Sequence, residues 1–394
     1  MDFATLAVIA LVAVLGPLLA LPRGAHVPMV VGELLAGILL GPTVFGYLDA
    51  TDPTFEFLAD IGFALIMFVA GSHVPMRDPA MRSALRGGAL RAVAVAIVAT
   101  AVAYGIAAVF GTGNAPVYAV LMASSSAALI LPIVDSLGLG GPQVVALLPQ
   151  IAVADTACIV ALPLVIDPAH AARAAIGAIL VSAAATVLFF VLRAAERSGA
   201  RKRLHVVSEN RRFALELRIS LIALFSLVAL AQVTHVSIML AGFALGLAVS
   251  AVGEPRRLAH QLFAVTEGFL GPLFFVWLGS SLDLRDLGRH PSVIGLGVLL
   301  GVGAVAVHAA MRVLGQPLSL GALAAAQLGV PVAAATVGSQ LHLLAPGEAA
   351  AFLLGALITI GAAVVSGGAA VRAGLLAAPK TTDAGPGTTG PAAS

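Results

Sequence analysis

Asp155 stands as a lone carboxylate within VVALLPQIAVADTACIVALPLVI, residues 144–166, a run long enough to cross a bilayer. An ionised carboxylate in hydrocarbon is costly unless something neutralises it, so an acid in such a run is a functional-site hypothesis by default. The chemistry it suggests is exchange of a proton for a monovalent cation on one carboxylate. The plainer alternative is a protonated or hydrogen-bonded Asp packed between helices. Ser124, Ser125 and Ser126 in LMASSSAALILPIVDSLG, and Thr156 beside the acid, offer hydroxyl oxygens. Such oxygens suit hard cations, as oxygen ligands suit Ca²⁺ and Mg²⁺. A bond from each serine back to a carbonyl of its own helix is an equally direct use.

His308, in LLGVGAVAVHAAMRVLG, is deep enough in an apolar run to be expensive when charged. It is a candidate charge partner for a carboxylate, a candidate pH-sensitive group, or a neutral hydrogen-bonded histidine. Glu33 reads equally as the lining of an access path or as a packing or interfacial residue; Glu216, Arg218 and Glu267 read as packing or interfacial residues, and His73 and His235 lie near the ends of apolar runs. Gln150 stands five residues before Asp155, off its face of a helix. The nine histidines form no i, i+4 pair, which argues against a histidine metal site. The single cysteine, Cys158, excludes an intramolecular disulfide and reads as packing. No Ser/His/Asp or Cys/His constellation and no cofactor motif is evident, so neither an enzyme nor a cofactor is expected.

The elements that must position these residues follow from composition. Of the 394 residues 60% are hydrophobic and only 10% charged, with a mean hydropathy of +1.06. Soluble domains carry about 25% charged residues, so this is an all-α polytopic membrane protein. The 42 glycines suit close helix–helix packing in lipid. About thirteen spans are expected, at 3–22, 27–47, 55–74, 88–111, 114–138, 143–166, 171–193, 213–232, 234–253, 262–282, 291–314, 318–341 and 346–373. Residues 3–22 read as a retained helix, with no basic region before them and no clear cleavage site. Residues 1–376 form one transmembrane domain, and 377–394, rich in Pro, Gly, Ser and Thr, is expected to be a disordered cytoplasmic tail.

Lysine and arginine in short loops set orientation. RAAERSGARKRLHVVSENRR, 193–212, should be cytoplasmic, and DATDPTFE, 49–56, carries neither residue and falls outside. The N-terminus is then outside and the C-terminus inside, in the cell membrane. Loop 283–290, with Arg285 and Arg289, is the one misfit.

Two spans look interrupted: the fifth, with its three serines and Pro132, and the twelfth, AAAQLGVPVAAATVGSQ, with Gly329, Pro331 and Gly338. Proline removes a backbone donor and breaks the helix ladder. Gln327 and Gln340 flank the second interruption and are positioned to bond its loose backbone. The two lie seven spans apart, so they enter from opposite sides, as an inverted repeat requires. Paired broken spans point to a transporter site, where carbonyls and helix ends coordinate ions at mid-membrane.

With these residues in place, the chain resembles the cation:proton antiporters of the sodium/hydrogen exchanger superfamily, closest to the membrane module of Kef-type exchangers. The resemblance covers roughly residues 5–373 and rests on VPMVVGELLAGILLGPTVFG at 27–46, IGFALIMFVAGSHVP at 61–75, SSSAALIL at 124–131 and PLFFVWLGSSLDL at 272–284, around an acidic sixth span. It implies inverted repeats, a core with two crossed discontinuous helices, and a scaffold that makes a homodimer. It implies Na⁺ or K⁺ and H⁺ as partners, the lipid bilayer as surroundings, and no nucleic acid. Asp155 matches the second residue of the family's ion-binding pair. Ala154, before it, departs from the Asp-Asp, Asn-Asp and Gln-Asp forms. His308 stands near a position where many members carry Lys. Kef-type members often append a regulatory nucleotide-binding domain, and none is expected within these 394 residues.

One acid carries one charge, so electroneutral 1:1 exchange by alternating access is expected; a His308 that also cycles protons would change that ratio. Two other readings stay open. A sodium-coupled symporter of an organic anion would want cationic groups in the core spans, which offer few. A non-transporting sensor or regulatory subunit would find little room for signalling in the short loops.

Overall fold

The computed structural model describes residues 1–21, 29–73, 79–200, 203, 213–234, 236–253, 256–281, 285 and 291–377. The expected disordered tail, from 378, lies outside them, as do His235 and most of the 193–212 and 283–290 loops.

Among the described residues the regular structure is helical. The first half holds α1 (Phe3–Ala13), α2 (Leu15–Ala20), α3 (Met29–Leu40), α4 (Pro53–His73), α5 (Pro79–Phe110), α6 (Ala115–Ala123), α7 (Ala127–Ser136) and α8 (Pro142–Ile166). The second half holds α9 (Ala171–Arg197), α10 (Leu215–Val233), α11 (Ile238–Val252), α12 (Arg256–Val265), α13 (Gly271–Ser280), α14 (Pro291–Ala309), α15 (Leu318–Ala324), α16 (Gly329–Gln340) and α17 (Glu348–Arg372). A π-helical turn, Thr266–Leu270, joins α12 to α13.

Among the described residues nine helical runs are long and apolar enough to cross a membrane, three more apolar helices are shorter, and the divided α6–α7 run completes the series. The thirteen expected segments are thus all present. The second is shorter than expected: α3 stops at Leu40, and a tight turn at Gly41–Leu48 follows, with Gly46 at φ +62°. Pro42 forces that stop, because its ring disfavours helical backbone at Gly41 and its nitrogen cannot donate.

Packing repeats across the two halves. α5 packs on α6 and α8, and α14 packs likewise on α15 and α17. α3 packs on α13, and α4 on α11. Numbering segments by position, these last two pairs are second with tenth and third with ninth. A shift of seven segments exchanges them, as an inverted repeat does. Both contacts are made by glycine. A Cβ on Gly37 would lie 2.1 Å from Val276 O and one on Gly279 2.2 Å from Leu34 O; one on Gly246 would lie 2.2 Å from Phe68 O. With no apolar gain from leaving lipid, backbones brought this close supply the dispersion contact that holds such helices together.

The expected interruptions are present, but the first is not where proline stands. α6 ends at Ser124 (φ −72°, ψ 151°), and Ser126 (φ −120°, ψ 106°) caps α7. Pro132 lies inside α7, past the break. Serines, which compete for backbone bonds, make the opening, and the released groups find partners elsewhere in the fold. The second break does lie beside its proline. Gly329 and Pro331 are the first and third residues of α16, in the turn whose N–H groups have no intrahelical acceptor.

Candidate functional site

The two breaks meet. The Ser126 N–H donates to Ala326 O (2.8 Å), and Ser125 Oγ donates to Ala324 O (2.7 Å). Each broken segment therefore satisfies backbone groups of the other, and the two discontinuous helices cross at their openings. All three serines are buried.

Asp155, buried on α8, lies at the start of α7: the Ala127 N–H donates to its Oδ2 at 2.9 Å. That N–H is the only hydrogen-bond partner of Asp155 among the described residues. A carboxylate with one donor and little water has spare acceptor capacity for a proton or a cation. The N-terminal end of a ten-residue half-helix, which carries partial positive charge, faces it.

The second break has a matching support. The Gln327 N–H donates to Thr359 Oγ1 of α17 at 3.2 Å, and that hydroxyl donates onward to Ala356 O. Gln327 was expected to bond the loose backbone here; its own N–H is the group held. Gln340 lies at the far end of α16.

The hydroxyls divide between both expected uses. Ser124 Oγ bonds back to Leu121 O, and Thr156 Oγ1 bonds back to Ala152 O, each on its own helix. Ser125 bridges the breaks, and the Ser126 side chain makes no capping bond to α7. His308 is fully buried on α14, against the backbone of Met122 and Ser124 where α6 ends. Neither ring nitrogen has a hydrogen bond within 3.5 Å. The ring thus faces a helix end carrying partial negative charge, and its neighbours there are backbone groups, not a carboxylate.

Two further constellations join residues of which the sequence reading weighed only Gln150. Glu348, at the start of α17, is buried and accepts from Asn114 Nδ2 (2.7 Å), the Ala345 N–H (2.9 Å) and the Tyr118 hydroxyl. It ties the first half of the broken α6–α7 segment to α17. Gln316 Nε2, in the turn before α15, donates to Gln150 Oε1 at 3.0 Å, and both side chains are buried. The signal that could have found Glu348 is a carboxylate at the mouth of an apolar span; for Thr359 and Gln316 there was only polarity within or beside one.

Two cavities open at one end of the bundle, on either side of α16. One, about 560 Å³, lies between Leu162 and Ile166 of α8, Arg173 of α9, Ser237 at the start of α11, and Val337. The other, about 770 Å³, is lined by Asp49, Glu56, Trp277, Ser280, Thr336 and Ser339. Asp49 there accepts from the Thr51 N–H and hydroxyl, which hold its carboxyl below the usual carboxylate range.

Residues 9–372 match the family profile described as "Sodium/hydrogen exchanger, transmembrane". The chain is 24% identical to the putative Na(+)/H(+) antiporter YjbQ of Bacillus subtilis, over 90% of this chain and 61% of that protein. It thus spans about three-fifths of that relative's length. It is 25% identical to the probable Na(+)/H(+) antiporter 3 of Methanocaldococcus jannaschii, over 81% of this chain and 84% of the other. Among solved structures it superposes on the sodium proton antiporter MjNhaP1 of the same archaeon. The TM-scores are 0.64 and 0.69 at 16% identity, covering 94% of this chain and 98% and 97% of the others. That likeness establishes a shared fold. With a profile match over nearly its whole length, this multi-pass membrane chain belongs to the sodium/hydrogen exchanger transmembrane family.

Proposed function

We propose that this protein is a secondary transporter that exchanges a monovalent cation, Na⁺ or K⁺, for H⁺ at Asp155, one for one, by alternating access. The observation that carries the reading is the carboxylate held by a single N–H at the point where two broken helices cross. Burial makes an uncompensated charge there unfavourable, so proton and cation compete for one site. Either leaves the site neutral, and only a neutralised site crosses between states.

Ser125 and Ser126 are the hydroxyls nearest the crossing, and they are the cation ligands of first choice. Ser124 and Thr156 contribute after releasing their own helix carbonyls. His308, at the end of α6, acts as a charge partner for that helix end or as a pH-sensitive group. The core comprises α5–α8 and α14–α17, and the remaining helices form a scaffold on which two copies dimerise. The two cavities lie between these parts and support access from one side. By the lysine and arginine of the loops, that side is extracellular, with the N-terminus outside and the C-terminus in the cytoplasm of a cell-membrane protein.

The test is transport in proteoliposomes carrying a lumenal pH dye, with Na⁺, K⁺ or Li⁺ added, for wild type and Asp155→Asn. Cation-driven proton movement that is lost in the variant and indifferent to imposed voltage supports the whole reading. If no cation moves protons, the exchanger assignment fails; if the variant works normally, the site does.

A further inference from the structure

The 560 Å³ cavity is aimed at the acid. Its walls include Leu162 and Ile166 of α8 and Ala333 and Val337 of α16, two helices that pack on each other. On α8 the lining residues share one stripe with Cys158 and Asp155, at steps of three and four residues. On α16 they share one with Gly329, at steps of four. Followed inward, both stripes reach the crossing. One ends at the carboxylate. The other ends at Gly329, three residues past the Ala326 carbonyl that receives the Ser126 N–H. Ala333 lies one turn, about 6 Å, from Gly329. The 770 Å³ cavity has no wall on α8.

Asp155 is nevertheless closed off, at 3% exposure. The side chain at the inner end of the cavity is Met239 of α11, at 1% exposure. α11 also packs on α8, and Ser237, a lining residue, accepts the Met239 N–H at 3.3 Å. A Cβ on Gly329 would lie 2.4 Å from Met239 Sδ and 3.3 Å from Phe63 Cζ, so the thioether fills the notch that glycine leaves. Phe63 is held in place by stacking on Phe274, with ring centroids 4.7 Å apart. Met239 is unbranched and turns freely, so its sulfur can leave the notch while α11 stays where it is. We propose that Met239 is the gate that shuts the 560 Å³ cavity from Asp155, and that this cavity is the cation's route to the acid. Met239 is a positioning residue: it binds no ion, and it decides when the carboxylate is reached.

This inference rests on the exchanger reading, and its test separates the two. Cys158, the sole cysteine of the chain, is buried one turn from Asp155 on the same stripe. A thiol label there reports whether the cavity opens onto the acid. Wild type, Met239→Ala, Met239→Leu and Leu245→Ala are purified in detergent and treated with a charged methanethiosulfonate, and labelling of Cys158 is timed by mass spectrometry. Met239→Ala should speed labelling at least about ten-fold, since a buried thiol is inert until it is uncovered. Met239→Leu, which refills the notch, should stay near wild type. So should Leu245→Ala, which truncates an equally buried side chain further along α11. Met239→Val takes the place of the alanine variant if that protein does not fold. A wild-type labelling rate in the truncated protein overturns the gate, as does equal acceleration in Leu245→Ala, which would mean loosened packing alone. Cation-driven proton movement is measured on wild type in liposomes. If there is none, the exchanger reading fails, and Cys158 labelling still decides whether Met239 shuts the cavity.

Discussion

Asp155 and Thr359 hold equivalent places in the two halves of the molecule. Asp155, on the sixth segment, accepts the Ala127 N–H where the first broken helix resumes; Thr359, on the thirteenth, accepts the Gln327 N–H inside the second break, two residues before α16 begins. The arrangement is duplicated, and only one copy carries charge.

The difference predicts unequal consequences. Asp155→Asn keeps an acceptor for the Ala127 N–H, so the variant should fold with near wild-type thermal stability and exchange no cation. Thr359→Val conserves shape but leaves the buried Gln327 N–H unpaired, at a cost of about 1–3 kcal/mol. It should unfold at lower temperature while retaining exchange. Thermal melts and liposome transport on both proteins check this.

Under the proposed exchange, competition for one carboxylate sets the pH dependence. As pH falls, protons displace the cation, so the apparent KM for Na⁺ should rise about ten-fold per pH unit once the protonated form dominates, at constant maximal rate. A maximal rate that falls while KM rises would point to a second essential titrating group, with His308 the first to test.

Glu348 is expected to act through structure. Removing it in Glu348→Ala strands Asn114, Tyr118 and the Ala345 N–H, for a loss of about 3 kcal/mol or more. Tyr118→Phe removes one of those bonds and should cost about a third as much. Unfolding of the two variants in detergent measures the difference. Neither should change the cation preference.

Scaffold packing should tolerate nothing larger than glycine at its crossings. Gly279→Val would drive side-chain carbon into the Leu34 carbonyl, and the chain should fail to accumulate in membranes. Gly105→Ala, where nothing lies within 4 Å of the added carbon, should express normally. Fluorescence-detected size exclusion of tagged variants reads both.

Much of this architecture was legible in the chain because hydropathy is a local property. Each apolar run shows its span without knowledge of its neighbours, and an acid inside one is conspicuous wherever the run ends up. Pro331 marked the second break correctly, since a proline in the first turn of a helix is a local preference. Pro132 misled for the converse reason: a membrane helix absorbs a proline when packing supports it, and the real opening, at Ser124–Ser126, depends on acceptors about 200 residues away. Gln150 was placed off the face of Asp155, but its partner, Gln316, could not be named.

The sequence by itself therefore determined that this is a membrane protein of about thirteen segments with an acid inside its sixth, because burial in lipid is dictated residue by residue. The tertiary structure alone decided which N–H that acid receives, which carbonyls the serines reach, and that Thr359 mirrors Asp155. Those contacts join segments whose separation in the chain leaves no trace in composition or period, and they exist only once the two halves have packed.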